Sequence, residues 1–414
     1  MRRVKHATRA ISLGVVLACV AGTMAIGTAL KVHCAGGNYD GRQYRDLCYS
    51  DIVPLLSTEQ LAGNRLPFLD ACAPSKDNCD EYPVVTMYAM RTAAWISGIR
   101  TDGFYYTNAA ILTLFAAATA FGLWLLVGRR ALWFALAPTL LIYGTINWDL
   151  IAVAFATLAF VAFASRRDGW AGVLLGLGAA SKFYPALLII PLFLQGIQDR
   201  EPDRSVRVLW WTVGTWIVVN LPFAIAAPSA WFEFFRFNSS RVADFDSLWY
   251  IACRHWDPAC LSTGAINLWS LIAFVVAFVT LLVLKTIREP TFSRWTLGFP
   301  LIACFLLSNK VYSPQYSLWL IPWFALAVPS WWAFAAFEVA DVAVFVTRFR
   351  EFFPVYQPGG SLTSQETSFE LAVLVRTVIL VWCLVIWLRE ESPVLALGTR
   401  GWRRSPAASS PVRT

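Results

Sequence analysis

Histidine is scarce in this chain, with three in 414 residues. His6, His33 and His255 are too scattered to suggest a histidine-ligated metal site. Charge is scarce as well: 14% of residues are Asp, Glu, Lys or Arg, whereas 57% are hydrophobic and the mean hydropathy is +0.55. That balance excludes an ordinary soluble domain and indicates a polytopic membrane protein. No GxxxxGKS/T phosphate loop, glycine dinucleotide fingerprint or HExxH motif occurs. The formal charge of +8 is what cationic cytoplasmic loops give a membrane protein, so no nucleic-acid partner is inferred. The twenty Trp residues suit indoles placed at the headgroup level.

What the chain has is apolar segments, at 11–31, 105–127, 131–146, 150–165, 170–181, 184–197, 207–227, 265–284, 295–308, 316–329, 331–347 and 369–388. They predict an all-α polytopic bundle of about twelve transmembrane helices. The segment 84–99 is short and carries Arg91, and reads as a re-entrant or interfacial helix. Met1-Arg2-Arg3-Val4-Lys5 precedes the first apolar run with no convincing cleavage site, so an uncleaved first helix is expected. With both termini cytoplasmic, the inner segments hold 19 of the 34 basic residues but only 7 of the 26 acidic ones. This predicts a multi-pass inner-membrane protein with its acidic loops outside. The expected division is a membrane domain over 1–390, containing a long first extracytoplasmic loop at 32–104 and a second outer loop at 228–264. A basic, disordered cytoplasmic tail is expected over 391–414.

The long loop is the most polar interval of the chain. It carries Asp40, Asp46, Asp51, Glu59, Asp70, Asp77, Asp80 and Glu81, with Cys34, Cys48, Cys72 and Cys79. Cys253 and Cys260 lie in the second outer loop. Six cysteines on one side point to an oxidising compartment and to disulfides. Cys34–Cys48, Cys72–Cys79 and Cys253–Cys260 are the first-choice pairs, although spacing alone leaves the connectivity open. Zinc is the rival, disfavoured by wide spacing and the missing histidines.

Several apolar segments are too short to cross, and pair into hairpins with polar tips. The tips are Asn147-Trp148-Asp149, Ser181-Lys182-Phe183-Tyr184-Pro185, and Asn309-Lys310-Val311-Tyr312-Ser313-Pro314-Gln315-Tyr316. Broken helices are tolerated at membrane depth only where they line a cavity, so three tips facing the acidic loop imply one outward-facing cavity. Lys182 and Lys310 each precede a Tyr and a helix-starting Pro.

Each candidate has a plain structural reading beside the functional one. Asp51 is either an N-cap before Ile52 or a catalytic carboxylate, with Asp40 and Asp46 in reserve. Glu81-Tyr82-Pro83 is either helix-start chemistry or part of the site. Asp149 is a cap, a partner for Lys182, or an intramembrane functional acid. Lys182 and Lys310 either neutralise buried acids or hold a lipid phosphate. Arg236, Arg241 and Arg254 either pair with neighbouring acids or await an anion. Glu338 and Asp341 either face the cavity or pair with Arg348.

Taken together, Cys48-Tyr49-Ser50-Asp51-Ile52, Glu81-Tyr82-Pro83, Asn147-Trp148-Asp149-Leu150, the run Gly172 to Pro185, and Asn309 to Tyr316 give the chain a family look. It resembles the polytopic GT-C glycosyltransferases of family 87 over about residues 10–390. That resemblance implies a GT-C-like bundle and an inverting transfer from a polyprenyl-phosphate sugar, first of all mannose, to a lipid or glycan acceptor on the outer face. It also implies a catalytic Asp in the first outer loop, which Asp51 matches best. Glu81, Tyr82, Asn147, Asp149, Lys182, Tyr184, Asn309, Lys310, Tyr312 and Gln315 are the expected substrate-binding residues. The chemistry suits them: a base must take the acceptor proton, and positive charge must meet the departing phosphate. No cofactor is called for, and a divalent metal stays open. One departure stands out. Mannosyltransferases of the family that build phosphatidylinositol mannosides have a histidine near the third tip, and Ser313-Pro314-Gln315-Tyr316 has none. The alternatives are therefore a polyprenyl-phosphate arabinofuranosyltransferase, or a non-enzymatic lipid-sugar flippase or transporter.

Overall fold

The computed structural model describes residues 11–37, 39–63, 65–73, 79–354 and 366–391. These are helical, with no strand among the described residues. The tail expected beyond 391 lies outside them.

Among the described residues, four helices are long and apolar enough to cross a membrane: Thr101–Ala135, Pro202–Ala226, Thr263–Arg288 and Thr367–Arg389. The expected segment 331–347 forms one helix, Trp331–Phe352, of 22 residues that carries several charges, and other expected segments are shorter or broken. The stretch 131–146 divides into Ala131–Ala135 and Pro138–Tyr143, and 316–329 into a 3-10 turn, Pro314–Trp319, and Ile321–Ala327. Asp149–Ala164 has 16 residues, about 24 Å of rise against the roughly 30 Å of a hydrocarbon core. It is Ala-rich, lacks Gly and Pro, and is buried on nearly every side. A helix that is apolar all round belongs in a protein interior. It turns back at Arg166, which sits at φ 58°.

The return helix, Asp168–Ala179, packs against Pro202–Ala226 through two glycines. A Cβ on Gly172 would lie 2.6 Å from the Val208 carbonyl oxygen, and one on Gly176 2.7 Å from that of Thr212. This Gly-xxx-Gly face lets the two backbones nearly touch, a contact in lipid that depends on close packing rather than on the hydrophobic effect.

The long loop is stapled onto the hairpin tips. Ser50 Oγ donates to the Thr145 carbonyl at 2.7 Å, and Tyr39 Oη donates to the Ser50 carbonyl at 2.8 Å. Disulfides join Cys34 to Cys48, Cys72 to Cys79 and Cys253 to Cys260, with Cα separations of 6.0, 6.3 and 4.4 Å. The expected re-entrant segment is a helix, Val84–Ser97, started by Pro83 and stopped by Gly98 at φ 62°. Its first turn docks on the second tip: Val85 N–H reaches the Ala180 carbonyl at 2.9 Å, and Thr86 Oγ1 the Ser181 carbonyl at 2.7 Å. Trp95 and Ile96 are exposed at its far end. The second loop, 228–264, contains two helices of its own, Pro228–Ser240 and Leu248–His255.

Candidate functional site

Asp51 immediately precedes the Ile52–Thr58 helix but makes no side-chain cap bond. Its carboxylate is instead held by a neighbour in the same loop and by two distant segments. Tyr49 Oη donates to Oδ1 at 2.6 Å, Asn147 Nδ2 to Oδ2 at 2.8 Å, and Gln315 Nε2 approaches Oδ2 at 3.4 Å. Asn147 is fixed in turn: its Oδ1 accepts the Trp148 N–H at 2.7 Å, and its Nδ2 also reaches Tyr82 Oη at 2.9 Å. The carboxylate is half-buried, open on one side and aimed by donors on the other. The reserve carboxylates are not so placed: Asp40 pairs with Arg42 at 3.1 Å and Asp46 with Arg45 at 2.7 Å, where both arginines are exposed.

The second set of residues is buried deeper. Lys182 Nζ lies 3.7 Å from Asp149 Oδ1, which accepts from Trp319 Nε1 at 2.7 Å. The lysine also faces the rings of Tyr82 and Tyr316, 5.1 and 5.7 Å from their centroids. Tyr184 and Tyr316 both stack on Trp319, with centroids 4.2 and 4.0 Å away. Of the two echoed tyrosines only Tyr184 joins this aromatic clasp; the other ring is Tyr316. Each lysine tip leads into a 3-10 turn, Tyr184–Leu188 and Pro314–Trp319. Side chains three apart eclipse on such a turn, which sets Tyr316 over Trp319. Trp319 was missed in the sequence, where the Tyr-x-x-Trp spacing of Tyr316 and Trp319 is the signal that points to it. Asp149 sits in a first helical turn whose N-cap is Trp148 and pairs with Lys182, while its Oδ2 meets no partner among the described residues.

Lys310 differs from Lys182 in that no described carboxylate lies within ion-pair distance of it. Its Nζ donates to the Ser239 carbonyl at 3.1 Å, and its own carbonyl accepts the Asp244 N–H at 2.8 Å. Burial, and then the charge of Arg241, hold its ammonium below the usual lysine range. Arg241 is bound to Asp244 at 3.0 Å. Tyr316, next to Gln315 in the chain, lies in the field of both Lys182 and Arg241, and Arg241 acts in turn on Lys310.

The other expected residues fall elsewhere. Asn309 ends the Gly298–Ser308 helix, its N–H on the Phe305 carbonyl at 3.0 Å. Tyr312 is buried against a separate polar group: its hydroxyl is 3.2 Å from Ser317 Oγ, and the Arg376 guanidinium lies 3.8 Å over its ring. Glu81 is half-buried beside Glu59 and in the field of Arg236. Glu59 is pushed up to about 8 by burial, opposed by the Asp80 N–H and reinforced by the charges of Glu81 and Asp80. Arg236 and Arg254 pair with Glu233 and Glu370, at 2.7 and 3.4 Å. The expectation that Arg348 serves Glu338 or Asp341 is corrected: Arg348 binds Asp244 at 3.6 Å and contacts Asp246, whereas Asp341 pairs with Arg376 at 3.1 Å. The pairing follows the helix, since Arg348 sits two turns beyond Asp341, at the end facing the second loop.

Beside Tyr82 an apolar pocket is lined by Phe68, Phe183, Trp216, Trp231 and Phe235 among others. It shares Val84 with an open groove of about 500 Å³ lined by Val85, Tyr88, Ile111, Val219 and Phe223.

A model of glycosyltransferase family 87 matches residues 82–308. The match begins beyond Asp51 and stops just short of Asn309. Among solved structures the chain is similar to that of ArnT from Cupriavidus metallidurans bound to undecaprenyl phosphate. The two share 14% identity, with 91% of this chain and 78% of that chain covered, at a TM-score of 0.46. No curated protein matches.

Proposed function

The chain belongs to glycosyltransferase family 87, and from that premise we propose that it transfers a sugar, mannose in the first reading, from a polyprenyl-phosphate donor to a lipid or glycan acceptor. The enzyme is a membrane glycosyltransferase, which removes the flippase alternative. The observation that carries the rest is the half-buried carboxylate of Asp51, held by Tyr49, Asn147 and Gln315, with Lys182 and Arg241 acting on the neighbouring Tyr316.

In this reading Asp51 takes the proton from the acceptor hydroxyl as its oxygen attacks the anomeric carbon. The bond from that carbon to the phosphate oxygen breaks on the opposite face, and the leaving polyprenyl phosphate keeps the electron pair. One displacement inverts the anomeric centre. Charge gathers on the phosphate as the bond breaks, and a cation placed there in a water-poor site lowers the barrier. Lys310 suits that role better than Lys182, because Asp149 already answers the charge of Lys182. Lys182 and its aromatic clasp then shape the sugar pocket with Tyr82, Tyr184 and Tyr316, and Glu81 stands on the acceptor side. The apolar pocket and groove beside Tyr82 suit an isoprenoid chain arriving sideways from the membrane. The active site is taken to face outward.

A second reading keeps the mechanism and changes the donor to a polyprenyl-phosphate arabinofuranose. The third tip favours it, since it offers Gln315 and no histidine.

Purified protein given radiolabelled polyprenyl-phosphate mannose and total membrane lipids is expected to label a new lipid or glycan. Asp51→Asn is expected to lower the rate at least about 100-fold, the scale of a lost general base. Label from the arabinose donor alone would move the assignment to the second reading. Full activity in Asp51→Asn would remove Asp51 from the chemistry.

A further inference from the structure

Behind the site lies a buried polar group that the transfer chemistry does not use. Asp341, in the Trp331–Phe352 helix, and Arg376, in Glu366–Arg389, are 0% and 1% exposed and lie 3.1 Å apart. Asp341 reaches segments that adjoin two of the hairpin tips. Ser317 Oγ donates to its Oδ1 at 2.7 Å, and Thr139 Oγ1 approaches its Oδ2 at 3.3 Å. Glu338, one turn earlier, accepts from Thr139 N–H at 2.8 Å and from its hydroxyl at 2.9 Å. Tyr143 Oη donates to the Asp341 carbonyl at 3.3 Å. On the other tip, Tyr312 is bonded to Ser317 and lies under Arg376.

The placement of these partners along the chain matters. Thr139 and Tyr143 belong to the short helix that leads into Asn147. Tyr312 and Ser317 flank Gln315. Asn147 and Gln315 are two of the three donors on Asp51. Stability is a poor explanation for such a group. Arg376 Nε and Nη2 and Glu338 Oε1 meet no partner among the described residues, and a buried ion pair often stabilises no more than apolar residues of the same volume would. Two broken helices that end inside the protein, however, have no membrane-spanning length to set their height, so something must.

We propose that the Asp341–Arg376 pair is a positioning device for transfer, holding the 138–147 and 312–317 segments in register so that Asn147 and Gln315 meet on the Asp51 carboxylate. This rests on the reading of Asp51 as the base. Donors on a carboxylate favour its ionised form, so releasing one raises the pH at which the base becomes active.

Ser317→Ala cuts one tether while leaving the ion pair intact. It is expected to lower kcat about tenfold with donor KM within twofold, and to move the acidic limb of the kcat/KM profile to higher pH. In a Gln315→Ala background the same substitution should add less than twofold, because both act through one contact. A purely structural serine would reduce the amount of active enzyme without moving the limb. The double variant Asp341→Leu with Arg376→Met addresses folding directly. Wild-type thermal unfolding with at least tenfold lower kcat is expected. Wild-type activity in that double variant, or an unmoved limb in Ser317→Ala, would overturn the proposal. Full activity in Asp51→Asn would instead remove the reading beneath it, so the two failures are told apart.

Discussion

Glu59 shows how one buried carboxyl can make the long loop sensitive to pH. It is 1% exposed, and burial pushes its carboxyl up to about 8 from 4.5. Below about 4.5 the group is protonated both folded and unfolded, and its stabilising share is whole. Between about 4.5 and 8 the unfolded chain loses the proton while the folded loop keeps it. Stability therefore falls as pH rises through that window, by up to about 1.4 kcal/mol per pH unit. The expected observation is that limited proteolysis of the loop quickens from pH 5 to pH 8. In Glu59→Gln, which still offers an acceptor to the Asp80 N–H, that slope should vanish; an equal slope in both would remove Glu59 as its source. Asp51 was legible as a candidate from its position in the loop and its aromatic company. Asn147 and Gln315 were expected at the site as substrate-binding residues, but their bonds to Asp51 were not legible, because a hydrogen bond spanning 96 or 264 residues leaves no trace in local spacing.

At the scale of elements, the Gly172–Gly176 face decides how closely the second hairpin approaches the Pro202–Ala226 helix. The tip of that hairpin carries Lys182, so its height depends on this contact. Gly176→Val would force a side chain against the Thr212 carbonyl and the Thr215 side chain, each 2.7 Å from an added Cβ. A loss of about 1–3 kcal/mol is expected, the usual cost of overpacking, seen as a lowered unfolding midpoint in detergent. Gly214, with nothing within 4 Å of an added Cβ, should accept valine within about 0.5 kcal/mol. Equal midpoints for the two variants would show that the close approach is not what holds the helices. The hairpins themselves were visible in the sequence as apolar runs too short to cross. The 3-10 turns after Lys182 and Lys310 were visible only as a Tyr and a Pro, and the sharing of Trp319 by Tyr184 and Tyr316 was not visible at all.

At the scale of the whole molecule, the charge asymmetry of the chain makes its orientation testable. In intact cells a membrane-impermeant maleimide is expected to label Ser229→Cys, at the exposed start of the second loop, and to leave Arg288→Cys unlabelled until the cells are opened. The reverse pattern would turn the site to the cytoplasmic side and exclude the outer-face reading. The number of crossings is a related matter. Twelve apolar segments are read in the sequence, and among the described residues four helices are both long and apolar enough to span by themselves. Hydropathy registers that a segment is apolar, and a helix buried in protein is as apolar as one facing lipid.

The sequence by itself determined the class of molecule, the acidic cysteine-bearing loop, the polar tips and the resemblance to family 87, because each rests on composition or on residues close together in the chain. Only the tertiary structure decided which carboxylate is aimed, which lysine is already neutralised, and that Arg376 rather than Arg348 meets Asp341. Those outcomes depend on where broken helices stop inside the bundle. Packing across distant segments sets that height, and no local pattern encodes it.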